Sequence, residues 1–177
     1  EGNCFKHLTQ LRELDLSYAV DDSDNDEDYE FFSSLKLLEK FNFYSFGKHY
    51  DGIYDIVRCD WFKLYKLSEL VNLRELSIIE INEHDLDQFR EMLRSKRMRH
   101  GEVDEPDPDP TFDGLCQFIL RDMTKLTNLE MSASHLTYIN KEFFSHMKDL
   151  THINFEFNQI QHIPDDTFDC LLNLEEI

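Results

Sequence analysis

Residues 153–168 read INFEFNQIQHIPDDTF. The apolar positions follow neither helical spacing nor plain alternation. Ile153 and Phe155 are two apart, Ile160 and Ile163 are three apart, and Asn158 stands between the pairs. Extended to the end of the chain, the pattern continues through Phe168, Leu171, Leu174 and Ile177. The same ladder appears once before, at one fixed offset, as Leu129, Met131, Ser134, Leu136, Ile139, Phe144, Met147, Leu150 and Ile153. Two consecutive matches of this length identify an internal repeat, the first feature to seek in a sequence.

The L-x-x-L-x-L heart of the ladder recurs upstream. It is carried by Phe5, Leu8, Leu11, Leu14 and Leu16, by Phe32, Leu35, Leu38, Phe41 and Phe43, and by Leu70, Leu73, Leu76 and Ile78. The steps from Leu14 to Phe41 and from Phe41 to Leu76 are longer than the downstream period, and the step from Leu76 to Leu129 is close to two periods. The Asn column holds Ala19, Phe46 and Ile81 in these copies, and Ser134 in the next.

A repeat of this form predicts a coil whose apolar side is buried by its neighbours. The paired apolar residues predict a short strand at 153–157, with Ile153 and Phe155 inward and Asn154 and Glu156 outward. Beyond the strand the chain must turn, which leaves backbone donors and acceptors inside the coil. An Asn side chain has both a carbonyl and an amide. Asn158 is therefore expected to bond the backbone of its own and the adjacent turn, and Ser134 to do so only in part. Pro164 suits a return path outside any ladder, and Phe168 is expected to fill the space behind the sheet.

The pattern resembles the leucine-rich repeat family, with its L-x-x-L-x-L-x-x-N/C-x-L motif. The resemblance is strongest over 120–177. It implies an α/β fold, a right-handed solenoid with a parallel concave sheet and an irregular or helical convex side, running as one solenoid fragment through 1–177. The downstream period, about two dozen positions, falls within the family's range. That period and the I-P-D-D-T-F segment look like the typical class, common in extracellular proteins such as Toll-like receptors and arthropod immune recognition proteins. The implied role is a ligand- or protein-binding module of an innate-immune receptor or secreted recognition protein, extracellular or on the cell surface. The alternatives are an adhesion protein of the same fold and a cytoplasmic adaptor such as a ubiquitin-ligase substrate receptor. Both ends read as cuts in a longer protein.

Solenoids bind along the concave surface. The outward positions expected there are Asp15, Ser17, Tyr18, Asn42, Tyr44, Ser45, Ser77, Ile79, Glu80, Glu130, Ser132, Ala133, Asn154, Glu156 and Phe157. Tyr18, Tyr44, Ile79 and Phe157 are apolar or aromatic, the kind of residue that anchors interfaces. The acidic members favour a basic protein ligand or co-receptor.

The net charge of −19 argues against nucleic acid, which requires a basic footprint. No run of 18 apolar residues spans a membrane, so any membrane attachment is expected outside the chain. The four cysteines, Cys4, Cys59, Cys116 and Cys170, form no C-x-x-C pair, and spacing leaves their disulfide state open. The eight histidines form neither H-x-x-x-H nor H-E-x-x-H, and no G-x-S-x-G, P-loop or G-x-G-x-x-G occurs. His152 is expected just before a strand and His162 on a turn, as surface groups. No cofactor, metal site or enzymatic activity is expected.

Two mobile inserts are expected, at 20–31 and 94–112. In the first, Asp22, Asp24 and Asp26 imitate an EF-hand loop, but Glu27 replaces the required Gly and Ser33 the final Glu. Tyr29 sits in an acidic setting suited to sulfation. The second, RSKRMRHGEVDEPDPDPT at 94–111, turns from basic (Arg94, Lys96, Arg97, Arg99) to acidic and Pro-rich, and no packed element is expected there. Just before it, the helical spacing of Leu86, Phe89, Met92 and Leu93 predicts a short helix on the convex side.

Overall fold

The computed structural model describes residues 5, 7–17, 30–44, 48–50, 53–55, 64–81, 83–100 and 111–177, with the backbone alone at 30–31, 48–50, 53–55, 64–65, 83–85 and 96–100. Tyr18, Ser45, Cys4, Cys59, Tyr29 and the EF-hand-like acidic run at 22–29 lie outside the described residues.

Five short strands form one parallel sheet: β1 (Glu13–Asp15), β2 (Lys40–Tyr44), β5 (Glu75–Ile79), β6 (Asn128–Glu130) and β7 (His152–Asn154), in that spatial order. Strands β3 (Lys48–Tyr50) and β4 (Ile53–Asp55) make a separate antiparallel pair. The register places Leu14, Phe41, Leu76, Leu129 and Ile153 side by side, which are the positions the ladder aligns. A bridge from His152 to Glu176 starts the same arrangement again.

One backbone device joins each coil to the next. The carbonyl just before a strand accepts two N–H groups from the following coil. Arg12 O accepts from Glu39 and Lys40 at 2.8 and 2.9 Å, Arg74 O from Thr127 and Asn128 at 2.8 and 3.0 Å, and Thr151 O from Glu175 and Glu176 at 2.8 and 3.1 Å. Where the column holds Thr, its hydroxyl adds a bond to the previous carbonyl: Thr127 Oγ1 to Arg74 O at 3.0 Å and Thr151 Oγ1 to Thr127 O at 2.9 Å. Buried polar backbone is thereby satisfied between coils rather than within them.

Strand alternation stops where the backbone turns left-handed. Glu80, Ala133 and Phe157 occupy one column and have φ of 70°, 51° and 57°. By period two, these side chains would point inward. The left-handed residue instead sends its own side chain out and brings the next one in: Ile81 and Ser134 are buried while Phe157 is 84% exposed. This corrects the expected strand at 153–157. It ends at Asn154, and 156–157 form a turn.

Asn158 is bonded as its chemistry predicts. Its Oδ1 accepts from Ser134 N and Leu136 N at 2.9 and 3.1 Å, and its Nδ2 donates to Met131 O and Phe155 O at 2.7 and 2.9 Å. Ser134 reaches only Ser132 O at 2.9 Å and Ile81 N at 3.5 Å. Behind the sheet, Phe144 is fully buried against Phe143, Phe155 and Phe168, with centroids 5.1, 6.1 and 5.5 Å away. Phe168 is only half-buried and Ile163 is 43% exposed.

The long interval from Leu76 to Leu129 is one enlarged coil, since β5 pairs directly with β6. Two helices fill it, α1 (Glu83–His100) and α2 (Phe112–Leu120). Helix α1 buries Leu86, Phe89 and Leu93 and packs Phe89 on Phe118 of α2 at 5.5 Å. It runs on through Arg94–His100, the start of the stretch expected to carry no packed element. Lys and Arg are good helix formers, so a basic run prolongs a helix that is already nucleated. Helix α2 begins at Thr111, whose hydroxyl accepts from Gly114 N at 3.2 Å, a common N-cap arrangement. Asp113 ties it to the next coil, accepting from Thr137 N at 3.0 Å and Thr137 Oγ1 at 2.7 Å.

Cys116 on α2 is buried and Cys170 half-buried, and both are free thiols. Burial, with the Asp113 carboxylate beside it, pushes the Cys116 thiol far above its ordinary range. Native protein is expected to label with a thiol reagent at Cys170 and not at Cys116 at pH 8. The folded-state pKa is raised, so stability is intact below about pH 8.5, the ordinary thiol value, and falls as pH rises beyond it, because only the unfolded chain ionises. Urea titrations should show about 1 kcal/mol more loss between pH 7.5 and 9.5 in the parent than in Cys116→Val. Equal losses would refute the assignment.

Candidate protein-binding face

The outer face of the sheet carries two rows of side chains, two residues apart along each strand. The first runs Glu13, Lys40, Glu75, Asn128, His152 and Glu176, and the second Asp15, Asn42, Ser77, Glu130 and Asn154. Both flank the inward Leu14–Phe41–Leu76–Leu129–Ile153 column, as alternation requires. An open trough follows these rows and is lined by Lys40, Asn42, Glu75, Ser77, Glu130 and Asn154.

Bonds run across the strands. Lys40 Nζ meets Glu75 at 2.5 Å, and this carboxylate holds the ammonium protonated to higher pH than usual. Ser17 donates its backbone N–H to Asp15 at 2.8 Å and Asn42 donates at 3.3 Å, and with Ser17 foremost these donors keep the Asp15 carboxyl below its ordinary range. Ser77 Oγ donates to Glu130 at 2.7 Å, and Asn154 Nδ2 and Ser132 Oγ each approach it at 3.4 Å. The Asn154 Oδ1 accepts from Glu156 N at 2.9 Å.

Of the expected positions, Ser17, Asn42, Ser77, Glu130, Asn154 and Glu156 line the trough. Asp15 stands at the outer end of the second row. Ser132 is buried at 6% although its Oγ lies 3.4 Å from the Glu130 carboxylate, so it sits beneath the outer face rather than exposed on it. Tyr44 and Ile79 end the two longer strands and are half-buried, and Glu80, Ala133 and Phe157 lie in the left-handed column beyond the strands. None of these five is among the residues lining the trough. The first row went unrecognised in the sequence, although one step back from Leu14, Phe41, Leu76, Leu129, Ile153 and Ile177 finds every member of it.

His152 is the first residue of β7, with Nδ1 2.8 Å from Thr151 Oγ1 and Nε2 3.8 Å from Glu176. His135, His146 and His162 are exposed. His135 stacks on Phe112 at 5.1 Å and its Nδ1 is 3.1 Å from Gln159 Nε2. Among the described residues no group of three or more His, Cys, Asp or Glu is placed to hold a metal ion, and no helix is long and apolar enough to cross a membrane.

The family model described as leucine rich repeat matches residues 124–177, the part of the chain where the sequence ladder and the strand register repeat together. These coils are leucine-rich repeats. The solenoid they belong to carries the same parallel register upstream to β1, and proteins of this kind generally bind other proteins. No curated protein matches the sequence significantly. Among solved structures, the repeat solenoid is similar to the Drosophila Toll–Spatzle complex, a molecular hub in development and innate immunity, at 10% identity and a TM-score of 0.41 over 82% of this chain and 17% of that one. It is also similar to an internalin from Listeria monocytogenes at 15% identity and a TM-score of 0.43, over 96% of this chain and 41% of that one. The chain spans less than half the length of either.

Proposed function

We propose that this leucine-rich repeat solenoid is a protein-recognition module that seats its ligand along the trough, without chemistry, as part of an innate-immune receptor or secreted recognition protein. The observation that carries the reading is the floor of the trough, where Ser77, Glu130 and Asn154 are presented side by side from adjacent strands. A rigid sheet with polar groups at fixed spacing suits specific protein contact. The extracellular assignment rests on the typical-class pattern of residues 163–168, and the acidic balance of the face favours a basic ligand.

Asn42→Trp with Asn154→Trp fills the trough from two half-buried positions without touching the core. As bait in affinity capture from extracellular fluid, the double variant is expected to lose the partners held by the parent while still unfolding in one cooperative transition. Equal capture by both baits would reject the trough as the binding face. One observation favours a second reading, a cytoplasmic adaptor: Cys116 and Cys170 are free, as is usual in reducing compartments. Recovery of the native protein from the cell surface or medium, rather than from cytosol, decides between them.

A further inference from the structure

Residues 94–97 read RSKR, with Arg at both ends and Lys before the last. Serine endoproteases with acidic subsites select this spacing, because each carboxylate-lined subsite pairs with one guanidinium or ammonium group. The motif falls where the packing of α1 ends. The buried stripe of the helix is Leu86, Phe89 and Leu93. The next positions on that stripe, three, four and seven residues beyond Leu93, are Lys96, Arg97 and His100. The helix nonetheless continues to His100. The last four carbonyls of a helix accept no intrahelical bond, and a short helical segment without an apolar face is marginal in water. Opening from Arg94 onward therefore leaves the buried stripe in place. Arg94 is exposed and pairs with Glu91 at 3.3 Å, an interaction of the kind that contributes little.

The two sides of the motif are joined without the chain between them. Strand β5 pairs with β6 from Glu75–Asn128 to Ser77–Glu130. Arg74 O accepts from Thr127 and Asn128, and Glu80 N donates to Ser132 O at 3.0 Å. Phe89 packs on Phe118. A break after Arg97 interrupts the covalent chain and spares the sheet, the core and the trough.

Resting on the extracellular reading above, we propose that Arg94–Arg97 is a processing site for a paired-basic serine endoprotease of the secretory route, and that the processed protein is a two-chain solenoid. The protease serine attacks the Arg97 carbonyl carbon, and the bond to the Met98 nitrogen breaks. Water then releases the acyl group, leaving a carboxylate at Arg97 and a new amino terminus at Met98.

The test digests the purified chain with furin, a serine endoprotease of that specificity. One cut is expected, and mass spectrometry should place it between Arg97 and Met98. Arg94→Ala and Arg97→Ala should each slow it at least about thirtyfold, as expected for loss of a desolvated charge pair in the protease subsites. Arg121→Ala, at another exposed arginine, should change it less than about twofold. The fragments should co-elute on size exclusion and part only in denaturant. An uncut parent, a cut insensitive to Arg94 and Arg97, or fragments that part without denaturant would overturn the proposal. The native protein separates this idea from the one it rests on. Recovery from the medium or cell surface with Met98 as a second amino terminus supports both. Recovery there uncut overturns processing alone, whereas recovery from cytosol overturns the extracellular reading.

Discussion

Asn158→Ala is expected to lower the unfolding free energy by about 3 kcal/mol, since each typical hydrogen bond contributes about 1 kcal/mol net and unpaired buried groups cost more. The side chain bonds Ser134 N, Leu136 N, Met131 O and Phe155 O. Removal strands two donors and two acceptors inside the coil, where water has poor access. The loss spans two coils, because three of those groups belong to the preceding repeat. Ser134→Ala should cost only about 1 kcal/mol, since that hydroxyl serves Ser132 O and, distantly, Ile81 N. Asn158→Asp should not rescue stability, because it keeps the acceptors and turns a carboxylate toward two carbonyls. Urea denaturation followed by circular dichroism measures all three. If Asn158→Ala costs no more than Ser134→Ala, the side chain does not hold the turn.

Phe144→Ala should be the most damaging core change, at about 4 kcal/mol, the usual range for emptying a buried aromatic site. In a chain of this size that is a fall of roughly 10 °C in melting temperature. Phe144 is fully buried and touches three other aromatic rings from two coils. Phe168 holds the same column one repeat later but is only half-buried, so Phe168→Ala should cost about half as much, having less area to return to water. Phe144→Leu should recover part of the loss. A smaller effect at 144 than at 168 would contradict the packing described.

The ladder made the inward column legible because burial is what it records: Leu14, Phe41, Leu76, Leu129 and Ile153 are adjacent in the sheet as they are in the alignment. The role of Asn158 was legible for the same reason, since a polar residue in a fixed buried column must find backbone partners. The end of the strand was not. The left-handed φ of Phe157 has no residue-type signature, because Phe there, like Glu80 and Ala133, is imposed by the coil rather than chosen for that conformation. Helix α2 was missed beside a Pro-rich stretch, although Thr111 followed by Leu115, Phe118 and Ile119 offered a cap and an apolar face. The reach of α1 was hidden because a basic run also reads as an unpacked loop. The candidate face was half visible: its second row was read directly, while the first row, including Lys40 and His152, needed only the opposite direction along each strand.

Neighbouring strands are unequally separated along the chain, yet Asp15, Asn42, Ser77, Glu130 and Asn154 lie side by side in unbroken register. Loop-closure entropy grows only with the logarithm of length, so closing the β5–β6 coil, roughly twice as long as the β6–β7 one, costs about 0.7 kcal/mol more. Helices α1 and α2 offset that with the apolar surface they bury. The back of the molecule can therefore be lengthened or rebuilt almost freely, while the spacing of the groups on its front stays quantised by the strand-to-strand distance.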